Sequence, residues 1–287
     1  MLTELGGKGG RICQSARDGQ LRCPLIVRPN SEDAVTGNLF GALEAINPRH
    51  WLPQLLNRGL GADRFRTQVF RQLKIELWQR QPVMPKHLVP WPEGATEVDV
   101  VVTWENPPTT VFIEMKYQSD LALTSSRHDG TNGFPADQLI RNLRVGLYRC
   151  GWYDEPRLFA KGKRDFVVLL MTPTGNHPLV GRYRNPATFR KSLPHGDLLT
   201  SLPRRPFVGH VTYADLIELL ETRHRFLTWN ERVLVERLTR YLAMKLNEIP
   251  AVRNDAGNVF GKSGGWEAGP GRERDQTILF PTVPEET

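Results

Sequence analysis

The apolar pattern of the chain is most continuous between residues 97 and 117, where two hydrophobic segments flank a short turn. The first segment, 97–104, reads EVDVVVTW, and the second, 111–117, reads VFIEMKY. Both are rich in β-branched and aromatic residues, and prolines lie in the turn at 106–108, so the pattern predicts two adjacent strands of a hairpin. Few polar residues alternate with the apolar ones, which predicts strands that are buried on both faces.

Helical periodicity appears on either side of this hairpin. Apolar positions before it predict a helix that ends near Asn47 and a second helical piece that is closed by Gly59. After it, residues 136–150 predict an amphipathic helix. Its apolar face carries Leu139, Ile140, Leu143, Leu147 and Cys150. Residues 165–171 form another continuous apolar run, and Thr212 and Thr228 are placed as the caps of two further helices. Residues 65–80 fit a helix or a strand.

Four charged residues, Glu97, Asp99, Glu114 and Lys116, lie within the two strands of the predicted hairpin. Because side chains alternate along a strand, Glu114 and Lys116 share a face, and pairing of the strands can bring Asp99 beside them. Carboxylates next to apolar walls are costly unless a cation lies between them, and a hard divalent cation is the natural candidate. The alternative is a half-solvated sheet on which these residues form ordinary surface salt bridges. The lack of polar alternation favours the buried cluster.

The order of these features over residues 36–172 resembles that of the PD-(D/E)xK nuclease superfamily. A helix with a Glu precedes a hairpin with Asp99 and the Glu114-x-Lys116 sequence, and a helix with an early Gln and a buried strand follow. Val98 stands where the family name has Pro, and Asn142 stands where a Tyr often follows the Gln. The resemblance implies an α/β, restriction-endonuclease-like fold, with a mixed central sheet flanked by helices. It also favours a strand over 72–79.

The resemblance implies a divalent metal site and assigns its residues. Asp99, Glu114 and Lys116 are the catalytic residues, and Asp99, Glu114, the backbone carbonyl of Met115 and Glu44 of the preceding helix are the metal ligands. Mg²⁺ or Mn²⁺ is the expected ion, since such ions prefer oxygen ligands. Lys116 would position the attacking water, or act as a base if desolvation lowers its pKa.

The polar face of the helix over 136–150 offers candidate contacts with nucleic acid. Gln138, Arg141 and Arg144 fall on this face, next to the predicted metal site. We expect them to contact phosphates of the substrate. The alternative is a solvated face without a specific role.

Composition agrees with a polyanionic partner. The chain has 287 residues, a formal net charge of +7 at pH 7 and a pI near 9.5. A basic surface favours nucleic acid, although an acidic protein would also suit it. Three cysteines in no metal-like spacing predict a reduced, cytoplasmic protein, with Cys150 in the core. No apolar run is long enough to cross a bilayer, so no membrane partner is expected.

The sequence divides into three predicted parts: a leader over 1–35, a nuclease-like domain with C-terminal helices over 36–250, and a tail over 251–287. The expected activity is metal-dependent hydrolysis of phosphodiester bonds, with DNA favoured over RNA. By analogy we expect a role in prokaryotic anti-phage defence or DNA processing, with partner subunits of a multi-protein system. The alternative is a catalytically silent nuclease-fold module that binds nucleic acid or a protein.

Overall fold

The computed structural model describes residues 31–122, 133–154, 162–173, 175, 177–199 and 201–247. Residues 1–30 of the predicted leader and the whole predicted tail lie outside these ranges. The described residues form an α/β fold in which a five-stranded mixed sheet is flanked by helices, as predicted. None of the described helices is both long and apolar enough to cross a bilayer.

The helices are α1 (Glu32–Glu44), α2 (Leu52–Leu60), α3 (Gln138–Arg149), α4 (Pro178–Arg184), α5 (Pro186–Lys191), α6 (Tyr213–Arg223) and α7 (Trp229–Asn247). The strands are β1 (Arg71–Arg80), β2 (Glu97–Glu105), β3 (Thr109–Met115), β4 (Asp165–Thr172) and β5 (Val208–Thr212). Short 3-10 turns lie at Pro48–His50, Gly196–Leu198 and His224–Phe226.

The strands lie in the order of the sequence, β1-β2-β3-β4-β5. β1, β2 and β3 form an antiparallel meander, and β4 and β5 continue the sheet in parallel with β3. The predicted hairpin is confirmed, with Val100 opposite Ile113, and so are the strands expected over 72–79 and 165–171. The parallel arrangement brings the carboxyl ends of β3, β4 and β5 to one edge of the sheet.

Two apolar cores cover the two faces of the sheet. Val100, Val102 and Ile113 face a core that contains residues of α1, α2, α6 and α7. Phe112 and Val168 face the other core, which contains residues of α3, α4 and α5. The central strands are therefore buried on both faces, as the continuous apolar runs predicted.

Several helix boundaries differ from the predicted ones. α1 begins directly after Ser31, whose hydroxyl accepts a hydrogen bond from the Ala34 amide at 3.1 Å, so the helix starts ahead of the predicted domain boundary at residue 36. α2 is closed by Gly61 with a φ of 68°, rather than by Gly59. Gly59 instead packs against Leu169 of β4, where an added Cβ would lie 3.0 Å from that side chain. The predicted caps at Thr212 and Thr228 are confirmed.

Candidate active site

The candidate site lies where β2 and β3 separate. The register pairs Val100 with Ile113, so Asp99 and Glu114 come next and face each other. The carboxylate of Asp99 accepts a hydrogen bond from the Met115 amide at 2.8 Å. This side-chain contact links β2 and β3 just beyond their last backbone pair. β3 stays paired with β4 here, since the Lys116 amide donates to the Met171 carbonyl at 2.8 Å. The two carboxylates therefore lie at the carboxyl-end edge of the sheet.

The ammonium of Lys116 lies among the oxygen atoms of this cluster. Its Nζ is 2.8 Å from Glu114 Oε1, 3.0 Å from Glu32 Oε1 and 2.7 Å from the Met115 carbonyl oxygen. The Lys116 side chain is 8% exposed and that of Glu114 is fully buried. The structure thus brings the predicted Asp99, Glu114 and Lys116 together, and places the Met115 carbonyl beside them.

Glu32, not Glu44, is the carboxylate that α1 contributes. Glu32 lies in the first turn of the helix, and its second oxygen accepts hydrogen bonds from Ser119 Oγ at 2.9 Å and from the Tyr117 amide at 3.3 Å. Glu44 is the last residue of the same helix, about 18 Å away along its axis, and it is exposed. The structure therefore corrects the assignment of Glu44. The predicted helix began too late to include the residue at its amino end.

Asn142 of α3 is a further member of the cluster. Its amide nitrogen donates to Glu114 Oε2 at 2.8 Å, and its oxygen accepts from Thr96 Oγ1 at 3.2 Å. The side chain is completely buried. The sequence contained a signal for this residue, because Asn142 lies among the apolar positions of α3, where an amide needs a buried partner. In the sequence, Asn142 stands where the family pattern often has Tyr, and that pattern predicts no site role for it.

The electrostatics of the cluster are unbalanced. Three carboxylates, those of Glu32, Asp99 and Glu114, surround one ammonium. Burial raises the pKa of Asp99 well above its usual range, and repulsion by Glu114 adds to this effect, against the attraction of Lys116. The negative charge at the site therefore exceeds what Lys116 offsets.

The ammonium itself is held in its charged form. Burial lowers the pKa of Lys116, but attraction by Glu114, Glu32 and Asp99 outweighs burial, and the net pKa lies above its ordinary value. The alternative in which desolvation makes Lys116 a general base is therefore not supported. Its protonated side chain can donate hydrogen bonds and offset negative charge.

The structure does not place Arg144 where nucleic acid could reach it. Its side chain is fully buried, 2.5 Å from Glu93 Oε1, and its guanidinium lies 5.4 Å from the centre of the Trp91 ring. Arg141 also pairs with Glu93, at 3.2 Å, and its side chain is 16% exposed. The prediction for Arg144 is wrong, because the segment that carries Trp91 packs over the face of α3 that was expected to contact nucleic acid.

Gln138 and Cys150 occupy the two ends of α3. Gln138 is half-buried, and its backbone amide donates to the Ala122 carbonyl at 2.9 Å, which ties the start of α3 to the segment after β3. Cys150 is buried, as predicted, and burial raises the pKa of its thiol to about 11. Cys150 is therefore a core residue with no nucleophilic character at neutral pH.

In the part of the chain that the structure describes, no set of three or more His, Cys, Asp or Glu side chains is arranged as a ready metal site. At the cluster, the ammonium of Lys116 contacts oxygen atoms of Glu32, Glu114 and Met115.

No family model matches this chain, and no curated protein and no solved structure is significantly similar to it.

Proposed function

We propose that this protein is a metal-dependent nuclease with a restriction-endonuclease-like fold, which hydrolyses phosphodiester bonds and favours DNA. The observation that carries the proposal is the cluster of Glu32, Asp99, Glu114 and Lys116 at the edge where β2 and β3 separate. Two of these carboxylates lie on paired strands, a third comes from the preceding helix, and a lysine follows the second strand. This is the arrangement that the sequence resemblance implies.

The residues fit a hard divalent cation. Carboxylate and carbonyl oxygens are the ligands that Mg²⁺ and Mn²⁺ prefer, and Asp99, Glu114, Glu32 and the Met115 carbonyl would supply them. The raised pKa of Asp99 supports the fit, because it reports a buried carboxylate whose charge is incompletely offset. When bound, the cation would stabilise negative charge on the phosphate and make a bound water a better nucleophile.

The neighbouring residues would hold this donor set in place. The backbone amide of Met115 donates to Asp99, and the side-chain amide of Asn142 donates to Glu114. Each hydrogen bond would fix the orientation of its carboxylate. Lys116 remains protonated. We propose that its ammonium moves from the carboxylates towards the phosphate when substrate binds, where it offsets developing charge and orients the attacking water.

The sheet supports the same assignment at the level of fold. An antiparallel meander followed by parallel strands places the ends of β2 and β3 beside those of β4 and β5, with helices on both faces. The net charge of +7 suits a polyanionic substrate. We further propose, by analogy only, that the protein works in prokaryotic anti-phage defence or DNA processing, with partner subunits.

One observation favours a second candidate, a catalytically silent module of the same fold. The Lys116 ammonium already occupies oxygen atoms of Glu32, Glu114 and Met115, and a module fixed in this state would bind nucleic acid or a protein without cutting. The two candidates differ in their response to metal.

The experiment that separates them measures cleavage of plasmid, linear duplex, single-stranded DNA and RNA with Mg²⁺, Mn²⁺ or EDTA. Glu114→Gln is the matched control, because it keeps the size of the side chain and removes its charge. We expect cleavage of DNA that requires metal and that is lost in the variant. Equal activity in EDTA would refute the metal mechanism, and binding without cleavage under every condition would favour the silent module.

A further inference from the structure

A polar cavity lies at β5, the outermost strand on one side of the sheet and two strands away from β3 of the candidate site. Its volume is about 510 Å³. It lies between α2 on one side and α4 on the other. Its polar lining includes Arg58, His177, Arg184, His210 and Asp215, and Gly181 forms part of its wall.

Arg184 gives this cavity its excess positive charge. Its Nε donates to the Val208 carbonyl at 2.9 Å and its Nη2 to the Gly59 carbonyl at 2.7 Å, so the guanidinium is fixed by neutral partners. No carboxylate within the described ranges forms a salt bridge with it. Arg58, by contrast, is paired with Asp215 at 2.8 Å and with Glu218 at 3.0 Å. The cavity therefore presents an oriented guanidinium whose charge the described carboxylates do not offset.

Two histidines add polar ring atoms to the same wall. His177 is hydrogen-bonded to Asp120 at 2.9 Å, and His210 is 2.7 Å from Thr172 Oγ1. Burial lowers the pKa of His210 to about 4, and Arg184 acts in the same direction against the attraction of Asp215. His210 is therefore neutral at pH 7.

The register of the sheet fixes the position of this cavity relative to the candidate site. Glu114 pairs with Leu170, and Leu170 pairs with His210, so the three side chains share one face of the sheet. Two strand spacings separate Glu114 from His210, which is about 10 Å. One strand of a duplex presents a phosphate for every 3.4 Å or so of helix axis. Because the strand also winds around that axis, a phosphate about 10 Å from the cleaved one lies only about one or two positions along the strand, so a strand cleaved at the candidate site would bring a neighbouring phosphate to the cavity.

We propose that this cavity binds a backbone phosphate of the nucleic acid substrate, with Arg184 as its principal contact. The proposal rests on the proposed nuclease function and deepens it, because it places the path of the substrate along the edges of β3, β4 and β5. A guanidinium held by backbone carbonyls is suited to the task, since its planar donors match the oxygen atoms of a phosphate.

Gly181 allows a test that leaves every existing contact in place. It lies on α4, its φ is not in the left-handed region, and an added Cβ would meet no atom within 4 Å. Gly181→Glu would add a carboxylate three residues before Arg184, on the same side of the helix, and so offset its charge. Gly181→Gln has nearly the same shape without the charge and is the matched control.

The first measurement titrates inorganic phosphate into the full-length protein and follows the ring signals of His177 and His210 by NMR. We expect both signals to shift in the wild type and in Gly181→Gln, and the shifts to be lost in Gly181→Glu. Unchanged ring signals in the wild type would show that the cavity binds no phosphate, and would overturn the proposal.

The second measurement follows binding of a labelled DNA duplex by anisotropy, with Glu114→Gln in every protein to prevent cleavage. Gly181→Glu is expected to bind about tenfold more weakly than Gly181→Gln, the effect of one charged hydrogen bond. The slope of log K against log salt should fall by about one. Equal affinity of the two variants would overturn the phosphate subsite while leaving the nuclease function intact. Absence of DNA binding in all of them would overturn both.

Discussion

Two buried groups of charged side chains lie close to α3, and they differ in charge balance. In the candidate site three carboxylates, those of Glu32, Asp99 and Glu114, surround the ammonium of Lys116. In the second group one carboxylate, that of Glu93, pairs with the guanidiniums of Arg141 and Arg144. The first group is at the ends of strands and has an excess of negative charge, whereas the second has enough cation for its acid and is covered by Trp91.

The balance of charge in each group distinguishes buried charge that supports the fold from buried charge that serves a ligand. A paired group is destabilised when one member is removed, because its partner remains buried without compensation. An unbalanced group already contains buried charge without compensation. Removing one of its charges, or binding a cation, should therefore stabilise the folded state. Mutations in the two groups should therefore have opposite effects on stability and on activity.

The largest effect is expected for Asp99→Asn on cleavage. The amide oxygen can still accept the hydrogen bond from Met115, but the charge is removed, and metal-dependent cleavage should fall by about three orders of magnitude or more. In metal-free buffer the free energy of unfolding should stay the same or rise. A clear loss of stability would show that the charge of Asp99 supports the fold and is not held for a ligand.

Arg144→Met is expected to show the opposite pattern. Removing the guanidinium takes away one of the two cations that pair with the buried Glu93, while Arg141 keeps the carboxylate paired, and the free energy of unfolding should fall by about 1–3 kcal/mol, as measured by urea denaturation. The folded fraction should still cleave DNA. Arg141→Met, whose side chain is partly exposed, is the control and should cost less. Normal stability with lost DNA binding would restore Arg144 to the substrate contacts.

Asn142→Leu should reduce cleavage by about 10- to 100-fold, the usual cost of losing a group that orients a metal ligand. The change removes the hydrogen bond to Glu114 Oε2, while Lys116 still contacts Oε1. Because the proposed role is positioning, the variant should need a higher concentration of Mg²⁺ for half-maximal cleavage. An unchanged Mg²⁺ requirement with slower cleavage would indicate a purely structural role.

The raised pKa of Asp99 gives the stability of the metal-free protein a defined pH dependence. The unfolded state has an ordinary Asp pKa of about 3.9. Folding favours the protonated form, so the wild type should lose stability relative to Asp99→Asn as the pH rises above this value, until Asp99 is ionised in the folded state. The raised pKa of Lys116 affects a different pH range. Its contribution to the free energy of unfolding is complete below the unfolded pKa of about 10.4 and is lost as the pH rises further. Parallel stability curves between pH 4 and 8 would contradict the assignment for Asp99.

The sequence allowed prediction of the parts that depend on neighbouring residues. Alternation along β2 and β3 brought Asp99, Glu114 and Lys116 together, because the hairpin turn fixes their register. The identity of the acid from α1 depends instead on where Ser31 caps the helix, within a segment that had been assigned to the leader. The burial of Arg144 depends on Trp91, a residue distant in sequence that packs over α3. The contact of Trp91 with α3 leaves no periodic signal in the chain, whereas the helix start does leave a local one, since a Ser followed by two acidic residues is typical of an N-cap.

The smallest changes in cleavage are expected for substitutions at the two ends of α1, at Glu32 and at Glu44. Glu32→Gln removes a carboxylate from the unbalanced group, and cleavage should fall by about tenfold or more, because one proposed metal ligand loses its charge while the other donors remain. Glu44→Gln changes an exposed residue at the other end of the helix, and both cleavage and stability should match the wild type within about 0.5 kcal/mol. Both variants replace Glu by Gln on the same helix, so they differ only in their position along α1. Rates reduced in Glu44→Gln, with normal rates in Glu32→Gln, would return the ligand role to Glu44 and would mean that α1 reaches the metal by its carboxyl end.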